Sequence, residues 1–129
     1  GVPDPPEGII KGHVGRSIRD RKIMQVFPDG SHGKHAVTHY RTIEDLGYLS
    51  VVECKLETGR THQIRVHAYA LGYPLLGDTL YSAPETDIIA RPALHAHSLS
   101  FTHPVTNERD SFTAPYPADF NTAIKRLAL

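Results

Sequence analysis

A glycine set between two incompatible periodicities constrains this chain most. Up to Leu56 the pattern alternates as a strand does, and beyond His62 apolar residues recur at helical spacing, so Thr58-Gly59-Arg60-Thr61 must turn the chain between them. Thr61 is a suitable N-cap, because its hydroxyl can accept from an unpaired first-turn N–H. Gly72 followed by Tyr73-Pro74 is a suitable stop. The spacing predicts a helix over 62–71 with Arg60, His62 and Gln63 at its N-terminus and Arg65 about one turn further on. Unpaired N–H groups, the positive end of the helix dipole and two arginines suit an anion such as an RNA phosphate. A capped amphipathic helix with solvated charges accounts for the same spacing.

Elsewhere the alternation is mostly that of strands. Residues 36–43 and 49–56 are rich in β-branched and aromatic side chains and flank Asp45-Leu46-Gly47, which predicts an antiparallel hairpin. Val52, Cys54 and Leu56 would share one face of its second strand, and Val51, Glu53 and Lys55 the other. A short strand over 23–27 is closed by Pro28-Asp29-Gly30. Residues 1–8 read as a linker, Ile9-Ile10 as the start of a strand, and 12–16 as a turn with a basic exit. On the helix, Ile64, His67, Ala68 and Leu71 would face the core. Residues 82–92 read as a loop or a short helix. A strand over 94–102 carries His95, His97, Leu99 and Phe101 on one face, and 109–113 returns as another. A terminal helix over 118–127 presents Phe120, Ile124 and Leu127. The expected class is α+β, a mixed, mostly antiparallel sheet with flanking helices.

Lysine plus arginine and aspartate plus glutamate number 14 each, so overall charge does not point to nucleic acid. The distribution does. Lys11, Arg16, Arg19, Arg21, Lys22, Lys34 and Arg41 face only Asp20 and Asp29 between residues 11 and 41, enough for a local basic patch. With 40% hydrophobic and 22% charged residues the chain reads as globular, and one cysteine, Cys54, excludes an internal disulfide and fits a reducing, cytoplasmic setting. No stretch is apolar for the roughly 20 residues a membrane span requires. The opening, Gly1-Val2-Pro3-Asp4-Pro5-Pro6, suggests an excerpt of a longer protein.

Several blocks, in this order, resemble the RluA-type family of RNA pseudouridine synthases. They are Gly12-His13-Val14-Gly15-Arg16 with Asp20-Arg21-Lys22-Ile23-Met24; Gly33-Lys34-His35-Ala36-Val37-Thr38-His39-Tyr40; Thr58 through His67; Leu71-Gly72-Tyr73-Pro74-Leu75-Leu76-Gly77-Asp78-Thr79-Leu80-Tyr81; and Leu94-His95-Ala96 with Phe101-Thr102-His103-Pro104. Phe112-Thr113-Ala114-Pro115-Tyr116-Pro117 closes the set. The resemblance covers nearly all of residues 1–129, read as the C-terminal portion of one catalytic domain. Two family blocks are missing: an upstream Arg-Leu-Asp whose aspartate is catalytic, and a Lys-x-Tyr whose tyrosine lies against the target base. No aspartate here replaces the first on motif grounds, and Asp78 matches a position that resembles a structural turn.

The resemblance implies isomerisation of uridine to pseudouridine in rRNA or tRNA, without metal or organic cofactor, by a base taken out of its stack. It implies that Arg65 pairs with the absent aspartate, keeping it ionised and oriented, and that Ile64 and Val66 support the uracil pocket. Arg60, His62 and Gln63 would meet RNA backbone phosphates or build the helix terminus, and Arg16, Arg21, Lys22 and Lys34 would extend an RNA-facing patch. The chain alone is expected to be inactive, with the rest of the domain, or another chain, pairing with its open strand edges. Arg65 could instead pair with Glu57 or Glu53, and the basic connector could be solvated and uninvolved. A non-catalytic RNA-binding module is the rival reading. Nine histidines raise a metal site, with His95 and His97 on one strand face and His103 not far away, but His62 and His67 lie about 140° apart around a helix and no cysteine or carboxylate partner stands out.

Overall fold

The computed structural model describes residues 1–127, with the side chains of Phe101 and Leu127 outside that description. Strand β1 (Glu7–Lys11) is followed by β2 (His13–Arg16), β3 (Met24–Phe27), β4 (Val37–Asp45) and β5 (Ser50–Leu56). Helix α1 (Gln63–Leu71), a 3₁₀ turn (Thr79–Tyr81), β6 (Ser98–Thr102), β7 (Arg109–Thr113) and α2 (Ala118–Leu127) complete the chain. The α+β expectation holds. Every ladder among the described residues is antiparallel: a three-stranded sheet ordered β1-β4-β5 and the hairpins β2–β3 and β6–β7.

The β4–β5 hairpin is the one expected, with Tyr40 opposite Cys54 and Arg41 opposite Glu53, and a bulge between Thr42 and Glu44. Its turn closes through Leu46 N–H to the Leu49 carbonyl at 2.9 Å and Gly47 N–H to the Asp45 carboxylate at 2.8 Å. Residues 1–8 are not a free linker. Glu7 and Gly8 belong to β1, the Pro5 carbonyl accepts from the Tyr40 hydroxyl at 2.9 Å, and the Pro6 carbonyl accepts from Thr42 N–H at 2.8 Å.

The expected turn at 12–16 is a strand. Its glycines permit close approach rather than reversal: a Cβ on Gly12 would lie 2.6 Å from Val26, and one on Gly15 would lie 2.7 Å from the Gly33 backbone. Val14 and Lys34 exchange both backbone hydrogen bonds, at 2.9 and 3.0 Å, fastening the 33–35 loop beside β2.

Helix α1 begins one residue later than predicted and turns two faces inward. Val66 joins Val14, Met24, Ala36 and Tyr81 in a buried cluster, and His67 is fully buried. Ile64, Ala68 and Leu71 instead line an apolar cavity of about 170 Å³, shared with Tyr40 and Cys54 of the sheet and with Phe120 and Ile124 of α2. The face expected from periodicity is thus divided between a packed core and a cavity.

Residues 82–92 form no helix, and β6 starts at Ser98 rather than at 94. The Ala114 carbonyl lies 3.0 Å from His95 Nε2 and 2.8 Å from His97 Nδ1, so the two rings do lie on one side, although the segment that carries them precedes the strand. The shared face proposed for Phe101, and the place of Leu127 on α2, fall on side chains outside the described set.

Candidate functional site

The turn from β5 into α1 is organised by Gln63. Its Oε1 accepts from Arg60 N–H at 2.9 Å and from the Thr58 hydroxyl at 2.7 Å, while Nε2 donates to the Val37 carbonyl and to Thr38 Oγ1, both at 3.0 Å. Thr58 Oγ1 in turn accepts from Val37 N–H at 3.0 Å. With 3% exposure and both ends of its amide engaged, Gln63 is a buried brace of the helix terminus, the second of its two expected roles, and not the contact to RNA phosphates that was the first. Thr61 is not the cap. That position falls to His62, whose backbone is left-handed (φ 55°) and whose side chain makes no cap hydrogen bond.

The His62 ring is held elsewhere. Its Nδ1 lies 2.8 Å from the Tyr81 hydroxyl, and that oxygen accepts from the buried Met24 N–H at 2.9 Å. The phenol oxygen thus links the β3 backbone to a ring that, when neutral, can take the phenol proton on Nδ1. Burial, then the Arg65 charge, lowers the His62 pKa and favours this neutral form. A left-handed non-glycine residue is a strained one, and here the strain aims a ring into a polar cluster.

Arg65 is the centre of that cluster. Its Nε donates to Asp78 Oδ2 at 2.9 Å and its Nη2 to Oδ1 at 2.8 Å, with the guanidinium carbon 5.1 Å from the centre of the Tyr81 ring. The Asp78 side chain is wholly buried, whereas that of Arg65 keeps 19% of its surface exposed. The hydrogen bonds to Asp78 chiefly hold the Arg65 pKa above its ordinary value. Asp78 is fixed by its own backbone: its N–H donates to the Leu75 carbonyl, and its carbonyl accepts from Tyr81 and Ala83 N–H. Gly77 before it is left-handed (φ 77°), and a Cβ there would meet the Arg91 carbonyl at 2.5 Å. The two alternative partners of Arg65 are engaged on the sheet, Glu57 with His39 and Glu53 with Arg41.

Among the basic residues, Lys34 and Arg60 come together in an open groove floored by Gly15, Gly33 and Gly59 and bordered by Thr61. The Arg60 Nε donates to the His35 carbonyl at 3.0 Å, fixing its stem beside that groove. Arg16 is near enough to lower the His62 pKa alongside Arg65, and its Nη1 donates to the Arg21 carbonyl at 3.1 Å. Arg21 and Lys22 stand exposed in the β2–β3 turn, outside the groove lining. Ile64 and Val66 do not line one pocket. Two residues apart on a helix is about 200° of rotation, and they face the cavity and the core cluster respectively.

The residues missed in the sequence are Asp78 and Tyr81. Gly77-Asp78 read as a turn, and no local periodicity links it to an arginine 13 positions earlier. No group of three or more histidine, cysteine, aspartate or glutamate side chains suited to a metal occurs among the described residues. Nor is any helix among them long and apolar enough to cross a membrane.

Comparison with known proteins converges on one family. A family model described as RNA pseudouridylate synthase matches residues 2–70. An uncharacterized RNA pseudouridine synthase of Chlorobaculum parvum is 43% identical over 98% of this chain and 44% of its own length. Ribosomal large subunit pseudouridine synthase D of Zymomonas mobilis is 41% identical over 93% of this chain and 41% of its own length. Among solved structures, human RNA Pseudouridylate Synthase Domain Containing 1 superposes with a TM-score of 0.70 at 32% identity, over 87% of this chain and 49% of that one. The chain therefore spans less than half the length of each of these relatives.

Proposed function

The chain belongs to the RNA pseudouridylate synthase family, and from that premise we propose that it is the C-terminal portion of a domain converting uridine in rRNA or tRNA to pseudouridine. The N-glycosidic bond of the target breaks, the uracil turns, and C5 joins the ribose while its proton is passed on, so nothing is oxidised or reduced. The catalytic aspartate, acting as nucleophile or base, comes from the part of the domain preceding these blocks. Arg65 holds that carboxylate ionised and aimed, and Lys34, Arg60, His62 and Arg16 take RNA backbone beside it, with Arg21 and Lys22 at the outer edge. The reading places this work in the cytoplasm.

One observation carries this reading. Arg65, inside the matched blocks, is seated on Tyr81 with its side chain partly exposed, as suits an arginine that serves a neighbouring anion. Release of tritium from RNA labelled at uridine C5 tests it. The chain alone should release none, and addition of the upstream half should restore release. No release from the completed domain would count against the reading. RNA binding without isomerisation in that completed domain would favour a non-catalytic RNA-binding module, for which the Lys34–Arg60 groove is the supporting feature.

A further inference from the structure

A guanidinium has five N–H groups, and Asp78 takes only two of those on Arg65, from the Nε–Nη2 edge. Among the described residues Nη1 has no hydrogen-bond partner, and Arg65 is the more exposed member of the pair. We propose that Asp78 is a positioning residue: by fixing the Nε–Nη2 edge of Arg65 against Tyr81, it presents the Nη1 edge to a second carboxylate. Two carboxylates would then share one guanidinium, one permanent and buried, the other supplied from outside this chain. This rests on the proposed function, because the second carboxylate is the aspartate of the upstream half.

Three features favour this over a clamp that only ties α1 to the 77–81 turn. Asp78 is wholly buried, so it cannot itself reach an incoming base or ribose. Its backbone bonds and the left-handed Gly77 fix it independently of Arg65, so the order runs from the turn to the arginine. Arg65 keeps part of its side chain open to solvent where Asp78 keeps none, so an anion from outside can reach the arginine.

The test uses this chain, nitrogen-15 NMR of its arginine side chains, and acetate as the carboxylate probe. In the unmodified chain the Arg65 Nε–H should give a separate, slowly exchanging signal, and acetate should shift the Arg65 Nη signals saturably. In Asp78→Asn the slow exchange should vanish and acetate should bind on the order of fivefold more weakly, as for the loss of one well-placed hydrogen-bonded partner. Asp78→Glu should recover part of both. An Arg65 Nε–H that exchanges like those of exposed arginines in the unmodified chain would overturn the proposal whether or not the variants fold. So would acetate affinity unchanged in a folded Asp78→Asn chain. If the NMR results hold but Arg65→Lys leaves isomerisation by the completed domain intact, the positioning relation stands and the catalytic reading falls.

Discussion

The Thr38 hydroxyl lies 2.8 Å from Nδ1 of a His67 that no solvent reaches. That contact is one link in a chain of oriented donors. Gln63 Nε2 donates to Thr38, Thr38 donates to His67, and His67 Nε2 faces the Gly12 carbonyl at 3.3 Å. The relay ties α1 to β4 and to the β1–β2 junction, and it requires His67 neutral. Thr38→Val keeps the shape and strands two buried polar groups, so it should cost about 1–3 kcal/mol in urea unfolding.

The same relay sets a pH dependence. Burial lowers the His67 pKa from its ordinary 6.5. The unfolded chain therefore takes up this proton at a higher pH than the folded chain does. The stabilisation is fully present above about pH 6.5 and is lost as pH falls from there toward the folded pKa. His62, lowered for similar reasons, acts in the same direction. Urea midpoints at pH 7.5 and 5.5 should fall toward acid, and equal midpoints would contradict the neutral relay.

Two left-handed glycines should behave differently. A Cβ on Gly33 (φ 73°) would lie 2.5 Å from the Val14 carbonyl, whereas one on Gly47 (φ 86°) meets nothing within 4 Å. Gly47→Ala carries only backbone strain, about 1–2 kcal/mol. Gly33→Ala adds a backbone clash and should destabilise considerably more, as paired thermal melts would measure.

Much of the architecture was legible because it is local. The β4–β5 hairpin, β7 and α2 follow from alternation, turn residues and helical spacing within single segments. What was not legible depends on distant parts of the chain. Gly12 and Gly15 read as turn residues until Val26 and Gly33 pack against them. For Gln63 the sequence leaves a phosphate contact and a helix-terminus role open, and only Val37 and Thr38 of β4 decide between them. Arg65 stood out in the sequence, but its Asp78 partner and Tyr81 seat arrive only after an intervening loop.

Cys54 should be inert. Burial, with the Glu53 charge adding to it, pushes its thiol up to about 11, so the nucleophilic thiolate is scarce at neutral pH. Alkylation by iodoacetamide at pH 7.5 should be far slower than for the urea-unfolded chain, and equal rates would show the strand open.

RNA affinity should separate groove residues from braces. Lys34→Ala should lower the slope of log affinity against log salt by about one phosphate contact, roughly 0.7 for single-stranded RNA. Gln63→Ala should leave that slope unchanged and lower the melting temperature instead, because its amide braces the turn from within.

The most direct measurement is single-turnover tritium release from C5-labelled RNA by the domain completed with its upstream half, comparing Arg65 with Arg65→Lys. Lysine keeps the charge but lacks the planar fork that can hold Asp78 and a second carboxylate together. The predicted result is a rate lowered by about 100-fold or more with RNA affinity nearly unchanged, of the size seen when a positioned electrostatic contact is lost. A near-normal rate in Arg65→Lys would contradict the role given to Arg65.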